Sequence, residues 1–262
     1  MEQSSLDALE DWFEGYVQPY HNTDSEGLQN IRMKVEHTRK VCRVMEQLAA
    51  GEGLSEHERC IAGAVALLHD VGRFPQYLRW RTFRDSISDN HARMGVDVIR
   101  EQKLLESLPP EERLLIEEAV RFHNLLSVPT MLRSPTDLFV KLIRDADKLD
   151  IWRVFLDFFS LPEDERASAA LLGLPDRAGV SAQCVAALES RQVVRLDTVE
   201  CVNDFKLLLI SWTFDLNFSS SIQLLQRYNY LGALAAELPD SNAIRQAVAA
   251  AQEHVAAQSG PV

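Results

Sequence analysis

The sequence predicts an all-α protein, on three observations. Apolar residues recur at helical spacing almost throughout, no stretch alternates convincingly in the strand period, and Gly and Pro fall at the joints between periodic segments. The chain has 262 residues, 46% of them hydrophobic and 25% charged, with only 11 Gly and 10 Pro. That is enough to bury a full core and excludes a disordered or collagen-like chain.

The elements follow in order. Residues 1–27 form an N-terminal helical segment. Ile31, Val35, Val41, Val44 and Leu48 lie near one face of a helix that stops before Gly51 and Gly53. Ser55 with Glu58 is a capping-box signal; it opens a helix through Ile61, Val65 and Leu68 that should end at Gly72. Arg73 to Ser88 reads as a polar, Arg-rich connection, long for a link between helices. Asp89 looks like the cap of a helix to about Leu105, Pro109 and Pro110 begin another that ends near Asn124, and Ser134 with Pro135 begins one that carries to about Phe159. Leu161 to Pro175, with its prolines and an acidic cluster, is a break. Beyond it come a helix from about Ser181, a strongly apolar one from Thr198 to Trp212, a Ser-rich turn after Phe218 and an Ala-rich helix at the end. No repeat or low-complexity linker interrupts the chain. The expected organisation is therefore a core over residues 28–160 with a helical extension, 161–262, packed on it as one compact domain.

Charge and composition narrow the function. A net charge of −12 repels nucleic acid polymers over most of the surface but leaves room for a small anion in a locally basic pocket. The apolar run Cys60 to Leu68 is well short of the roughly 18 to 20 residues of a membrane span, so no membrane partner is expected. Met1 to Tyr16 carries acidic side chains and no basic ones, unlike a secretory signal, and the protein is read as cytoplasmic. The 4 cysteines are too sparse for a disulfide framework and too scattered for a Cys-rich zinc site; they read as small buried hydrophobes.

Several polar side chains fall where the helices bury hydrocarbon. His37 shares a stripe with Val41, Val44 and Leu48, His91 one with Gly95 and Val98, and His123 one with Ala119 and Ile116. Asp147 follows Val140 and Ile143 on a face that is otherwise apolar. His69 and Asp70, adjacent and about 100° apart, end an apolar helix and can reach a common centre past a corner that Gly72 leaves open. A buried carboxylate is costly unless paired or metal-bound, and a cation would offset that cost for the imidazoles too. Nitrogen with oxygen ligands suits Mn, Fe, Zn, Ni, Co or Mg. His21, His57 and His254 sit in polar surroundings and read as surface residues.

His37, the doublet His69-Asp70 and the segment Arg144-Asp-Ala-Asp147-Lys-Leu-Asp150 resemble the HD-domain superfamily of metal-dependent phosphohydrolases, over about residues 28 to 160. The stretches His69-Asp-Val-Gly-Arg-Phe74 and Thr82-Phe-Arg-Asp85, with Ser88 before His91, look like a bacterial subgroup of it whose substrates are mostly unassigned. The Gly-Tyr-Pro signature of members that hydrolyse cyclic dinucleotides is absent. By that resemblance His37, His69, Asp70 and Asp147 hold one metal. His91 and His123 fall where two-metal members place further ligands, with Asp70 bridging.

The resemblance implies a phosphohydrolase acting on a small phosphate ester, a nucleotide or related metabolite, by a metal-activated water. Two paired ions would clamp a phosphoryl oxygen and supply the nucleophile. Arg73 and Arg84 are candidates for the substrate phosphate, since guanidinium forks match its oxygens. Asp70 and Arg73 are the expected catalytic residues, and Lys148 and Asp150 are expected to support the ligand Asp147 from behind. Asn217, in Trp212-Thr-Phe-Asp-Leu-Asn-Phe218, is a further substrate-binding candidate, because the same subgroup is similar there. Two other readings stay open: a di-iron oxygenase on the same ligand set, and a non-catalytic domain that binds a nucleotide as a signal. Oligomeric state is not legible.

Overall fold

The computed structural model describes residues 1–162 and 165–258, and it is helical, with no strand among them. In chain order the helices are α1 (Gln3–Val17), α2 (Ser25–Gly51), α3 (Glu56–Leu68), α4 (Arg73–Trp80), α5 (His91–Glu101), α6 (Pro110–Phe122), α7 (Thr136–Ser160), α8 (Ala182–Glu189), α9 (Val202–Ser211), α10 (Ser219–Arg227), α11 (Tyr230–Ala236) and α12 (Asn242–Gln258). The chain divides into two compact units. The first comprises Met1–Ile151 with Leu161–Leu172 and the second Trp152–Ser160 with Gly173–Val262, so the division falls within α7.

In the first unit α3 is the central element, packed against α1, α2 and α6. Its start is set by both halves of the capping box: Glu58 N donates to Ser55 Oγ and Ser55 N to Glu58 Oε2, at 3.4 and 2.8 Å. Such a cap stabilises a helix start by about 1 kcal/mol. From Cys60 onward every side chain except Gly63 is buried, as befits a helix surrounded on all sides. The long α2 buries Ile31, Val35, Val41, Met45 and Leu48 along one stripe, and His37 and Thr38 lie within it.

Four expectations need correction. First, Arg73–Trp80 is helix α4, not part of a loop: Phe74 and Tyr77 lie one turn apart and are buried, a stripe too short to stand out among the arginines. Second, α3 ends at Leu68, and His69–Gly72 forms a turn between α3 and α4 rather than the last turn of α3. Third, the cap of α5 is Asn90, whose side chain accepts from Arg93 N at 2.9 Å, while Asp89 accepts from Asn90 N. Fourth, Ser219–Ser221 opens α10 instead of making a turn, because Ile222 and Leu225 pack inward one turn apart.

In the second unit α9 is buried at every position from Val202 to Ser211 and packs against α8, α11 and α12. Its polar members are satisfied there, which permits their burial. Asp204 accepts from Ser181 N at 2.6 Å and Glu200 N at 3.0 Å, Lys206 Nζ donates to Glu237 O at 2.7 Å, and Ser211 Oγ accepts from Val194 N at 2.9 Å. Part of the acidic stretch in the expected break, Glu163 and Asp164, lies outside the described residues. The cysteines are unbridged, with Cys60, Cys184 and Cys201 buried. Among the described residues no helix is long and apolar enough to cross a membrane.

Candidate metal centre

The first unit brings six predicted side chains to one place from separate elements. His37 comes from the middle of α2, His69 and Asp70 from the turn after α3, His91 from the first position of α5, His123 from just beyond α6, and Asp147 from α7. The histidines and Asp70 are buried, and the Asp147 side chain keeps 20% exposure.

Backbone contact sets this convergence. A Cβ on Gly72 would stand 2.2 Å from His91 O and 2.5 Å from Gly95 N, so only glycine lets the doublet's turn touch α5. The corner read as open is therefore closed by backbone, and the contact carries His91 to within reach of Asp70.

Asp70 lies between two groups of donors. Its Oδ2 is 3.6 Å from His37 Nε2 and 3.7 Å from His69 Nε2; its Oδ1 is 3.4 Å from His91 Nε2 and 3.9 Å from His123 Nε2. Asp147 Oδ1 joins the first group, 3.1 Å from His37 Nε2 and 3.8 Å from His69 Nε2. His37, His69 and Asp70 form one set that could hold a metal ion, and Asp70, His91 and His123 a second.

The opposite ring nitrogens decide what these sets present. His69 Nδ1 donates to Ala66 O and His123 Nδ1 to Val120 O, both at 2.7 Å, and carbonyls can only accept. His37 Nδ1 meets Asp150 Oδ2 at 2.7 Å, and His91 Nδ1 meets Asp85 Oδ2 at 2.7 Å. Each set thus has one histidine backed by a carboxylate and one backed by a backbone carbonyl, and each imidazole turns the Nε2 lone pair inward. His69 Nε2 is buried with no hydrogen-bond partner, and the nearest group to the buried His37 Nε2 is the Asp147 carboxylate. His91 Nε2 and His123 Nε2 face each other at 3.1 Å with both δ protons committed elsewhere. Facing lone pairs repel, and a cation between them removes the conflict. The donor set fits a divalent metal, and the carboxylate and carbonyl partners are of the kind that orient metal-binding imidazoles.

Electrostatics agree with this. Burial pushes the His69 and His91 imidazoles below their ordinary value, and burial beside two other imidazoles drives His123 down to about 3, so these rings stay neutral at neutral pH. Burial would raise the carboxyl of Asp70, but the cations of Lys34 and Arg73 beside it hold it well below the usual range. Burial acts likewise on Asp147 and is outweighed by His37 and His69. For His37, burial and Lys34 press the value down while Asp147 and Asp150 raise it and prevail. That pull for positive charge between His37 and Asp147 falls where a metal ion would sit.

Other predicted residues divide. Asp150 reaches the cluster through His37, and Lys148 is buried beside it in sequence. Arg73 approaches Asp70 Oδ1 through Nε at 3.4 Å, but its Nη1 is spent on Gln76 Oε1, Phe83 O and Asp85 Oδ1 at 2.9, 2.6 and 3.0 Å. Arg84 is exposed and bonds Ser86 Oγ; among the described residues no contact joins it to the cluster. Asn217 belongs to the second unit, where it is exposed and donates to Asp215 O at 3.2 Å. His21, His57 and His254 are not buried.

Two neighbours of the centre escaped the sequence reading. Asp85 stood in the Thr82-Phe-Arg-Asp85 segment with no role, and only folding brings it to His91. Lys34 lies three residues before His37 on the same face of α2, a spacing that signals proximity in a helix. Its Nζ is 2.7 Å from Asp70 Oδ2.

No curated protein matches the chain. The crystal structure of a predicted HD superfamily hydrolase from an uncultured Thermotogales bacterium is similar at 24% identity, over 64% of this chain and 82% of that one, with a TM-score of 0.36. The family model for the HD domain matches residues 35–152, the stretch that contains His37, His69, Asp70, His91, His123 and Asp147. Over these residues the chain matches the HD domain.

Proposed function

We propose that this protein is a metal-dependent phosphohydrolase that cleaves a small phosphate ester, a nucleotide or related metabolite, with two divalent ions. His37, His69, Asp70 and Asp147 hold one ion; Asp70, His91 and His123 hold the other. The observation that carries the reading is the placement of Asp70, whose two oxygens face different histidine pairs. Ions bound there supply Lewis-acid polarisation of a phosphoryl oxygen and a water acidic enough to attack phosphorus near neutral pH.

The chain's own part is placement. Asp150 and Asp85 fix the ring orientation of His37 and His91. Arg73 shapes the wall beside Asp70, with Arg84 as a further substrate-binding candidate. Lys148 supports Asp147. Asp147, with Lys34 and Arg73 at 13% and 15% side-chain exposure, marks the side a small molecule reaches.

The test is metal analysis of protein purified without chelators, followed by a phosphate-release screen over mono- and diesters with Mn, Co, Ni, Zn, Mg and Fe. Release of phosphate with two ions per chain is the expected result. Iron retention with oxygen uptake and no phosphate release would replace this reading by an oxygenase. Nucleotide binding without turnover in any metal would make the domain a sensor.

A further inference from the structure

We infer that Lys34 is the residue of this centre that binds the substrate's phosphoryl oxygens, a role that neither the family motif nor the arginines of the following segment assign to it. The inference rests on the phosphohydrolase reading and names the anion contact within it.

Lys34 lies one turn before His37 on α2, and its ammonium is 2.7 Å from Asp70 Oδ2, the oxygen that faces His37 and His69. It therefore stands at the rim of the first donor set. An ammonium carries three N–H donors. Asp70 takes one, and among the described residues no second acceptor is within hydrogen-bond reach of Nζ. The other neighbour is the Phe83 ring, 5.5 Å away at its centroid, which gives the cation an apolar wall but no acceptor. The side chain is 13% exposed, so those donors can be met from solvent.

Arg73 makes the contrast. It flanks the other oxygen of Asp70, but its Nη1 holds Gln76, Phe83 O and Asp85. Moving that guanidinium toward a ligand would break these bonds, whereas Lys34 needs no rearrangement to donate.

Charge points the same way. With two divalent ions held by Asp70 and Asp147, the first need of Lys34 for a counter-charge on Asp70 is gone, and like charges repel it. An anion that spans the ions and the ammonium restores the balance. A phosphate monoester dianion has the charge and the oxygens for it, and hydrogen bonds between ionised groups are the strong ones.

The experiment compares Lys34→Met, which keeps the stem, and Lys34→Arg, which keeps the charge, with the wild type. Inorganic phosphate is titrated calorimetrically into manganese-loaded protein, and manganese is titrated separately into each chelator-treated protein. Lys34→Met should weaken phosphate binding by about tenfold or more, with manganese affinity no lower than in the wild type, and Lys34→Arg should recover much of the loss. Equal phosphate affinity in the wild type and Lys34→Met overturns the inference and leaves the phosphohydrolase reading standing. So does a loss that merely follows lost manganese, which would make Lys34 a structural counter-ion. A manganese-loaded wild type that neither binds phosphate nor releases it from any ester overturns the phosphohydrolase reading itself, and this inference with it.

Discussion

His91 donates its Nδ1 proton to Asp85, whose Oδ2 lies 2.7 Å away, and Asp85 is held in turn by Arg73 Nη1 at 3.0 Å, Gln76 Nε2 at 2.8 Å and Asn124 Nδ2 at 3.2 Å. The imidazole is thereby locked in one tautomer, and its carboxylate partner is itself locked. Removing such a partner typically lowers metal affinity about 10- to 100-fold. Asp85→Ala should weaken one of two manganese sites by that amount and spare the other, as read by stepwise metal titration. Two sites of unchanged affinity would deny Asp85 this role.

Asp70→Ala removes the carboxylate common to both donor sets. Metal content should fall at both sites, and activity should drop by more than the roughly 100-fold seen for outer partners. Circular dichroism should still report a helical fold. A folded variant with near-normal turnover would sink the proposed arrangement.

Gly72→Ala tests the backbone contact between the doublet's turn and α5. The added Cβ would meet His91 O at 2.2 Å, so one of the two segments must move. Overpacking of this kind costs about 1–3 kcal/mol. A lowered melting temperature should accompany weaker binding at the His91 and His123 set, and a melting curve unchanged in position would contradict the close approach.

Arg73→Ala should act on stability as well as on substrate. Its Nη1 joins Gln76, Phe83 O and Asp85, and hydrogen bonds to charged groups are each worth about 1.5–3 kcal/mol. Denaturant unfolding should show a loss of about 1.5–3 kcal/mol or more, at least the worth of one such bond, together with a higher KM. Unchanged stability with a raised KM would make Arg73 a substrate contact alone.

Metal should stabilise the fold, because the donor sets come from elements that are apart in the unfolded chain. At a free concentration of 100 times Kd, one bound ion adds about 2.7 kcal/mol. Thermal melts with and without manganese measure it, and coincident curves would show that the ion does not bind the folded state at these residues.

Much of this was legible in the residues before any fold was known. Helical periodicity, the Ser55 and Glu58 cap and the prolines at 109, 110 and 135 are local signals, and they placed α2, α3, α6 and α7 nearly where they lie. The doublet His69-Asp70 and the imidazoles on apolar faces were conspicuous because a buried polar group demands a partner. Short helices were harder: α4 and α10 hide among polar residues, since two inward side chains one turn apart are too few to stand out from chance.

The residues and their spacing already say which side chains must be buried and paired. Their partners emerge on folding: Asp85 backs His91, Asp150 backs His37, Arg73 is tied to its own neighbours and Lys34 reaches Asp70. The physical reason is that a helix stripe reports the face a residue occupies but not the identity of what packs against it, which here depends on how closely two backbones can approach at Gly72.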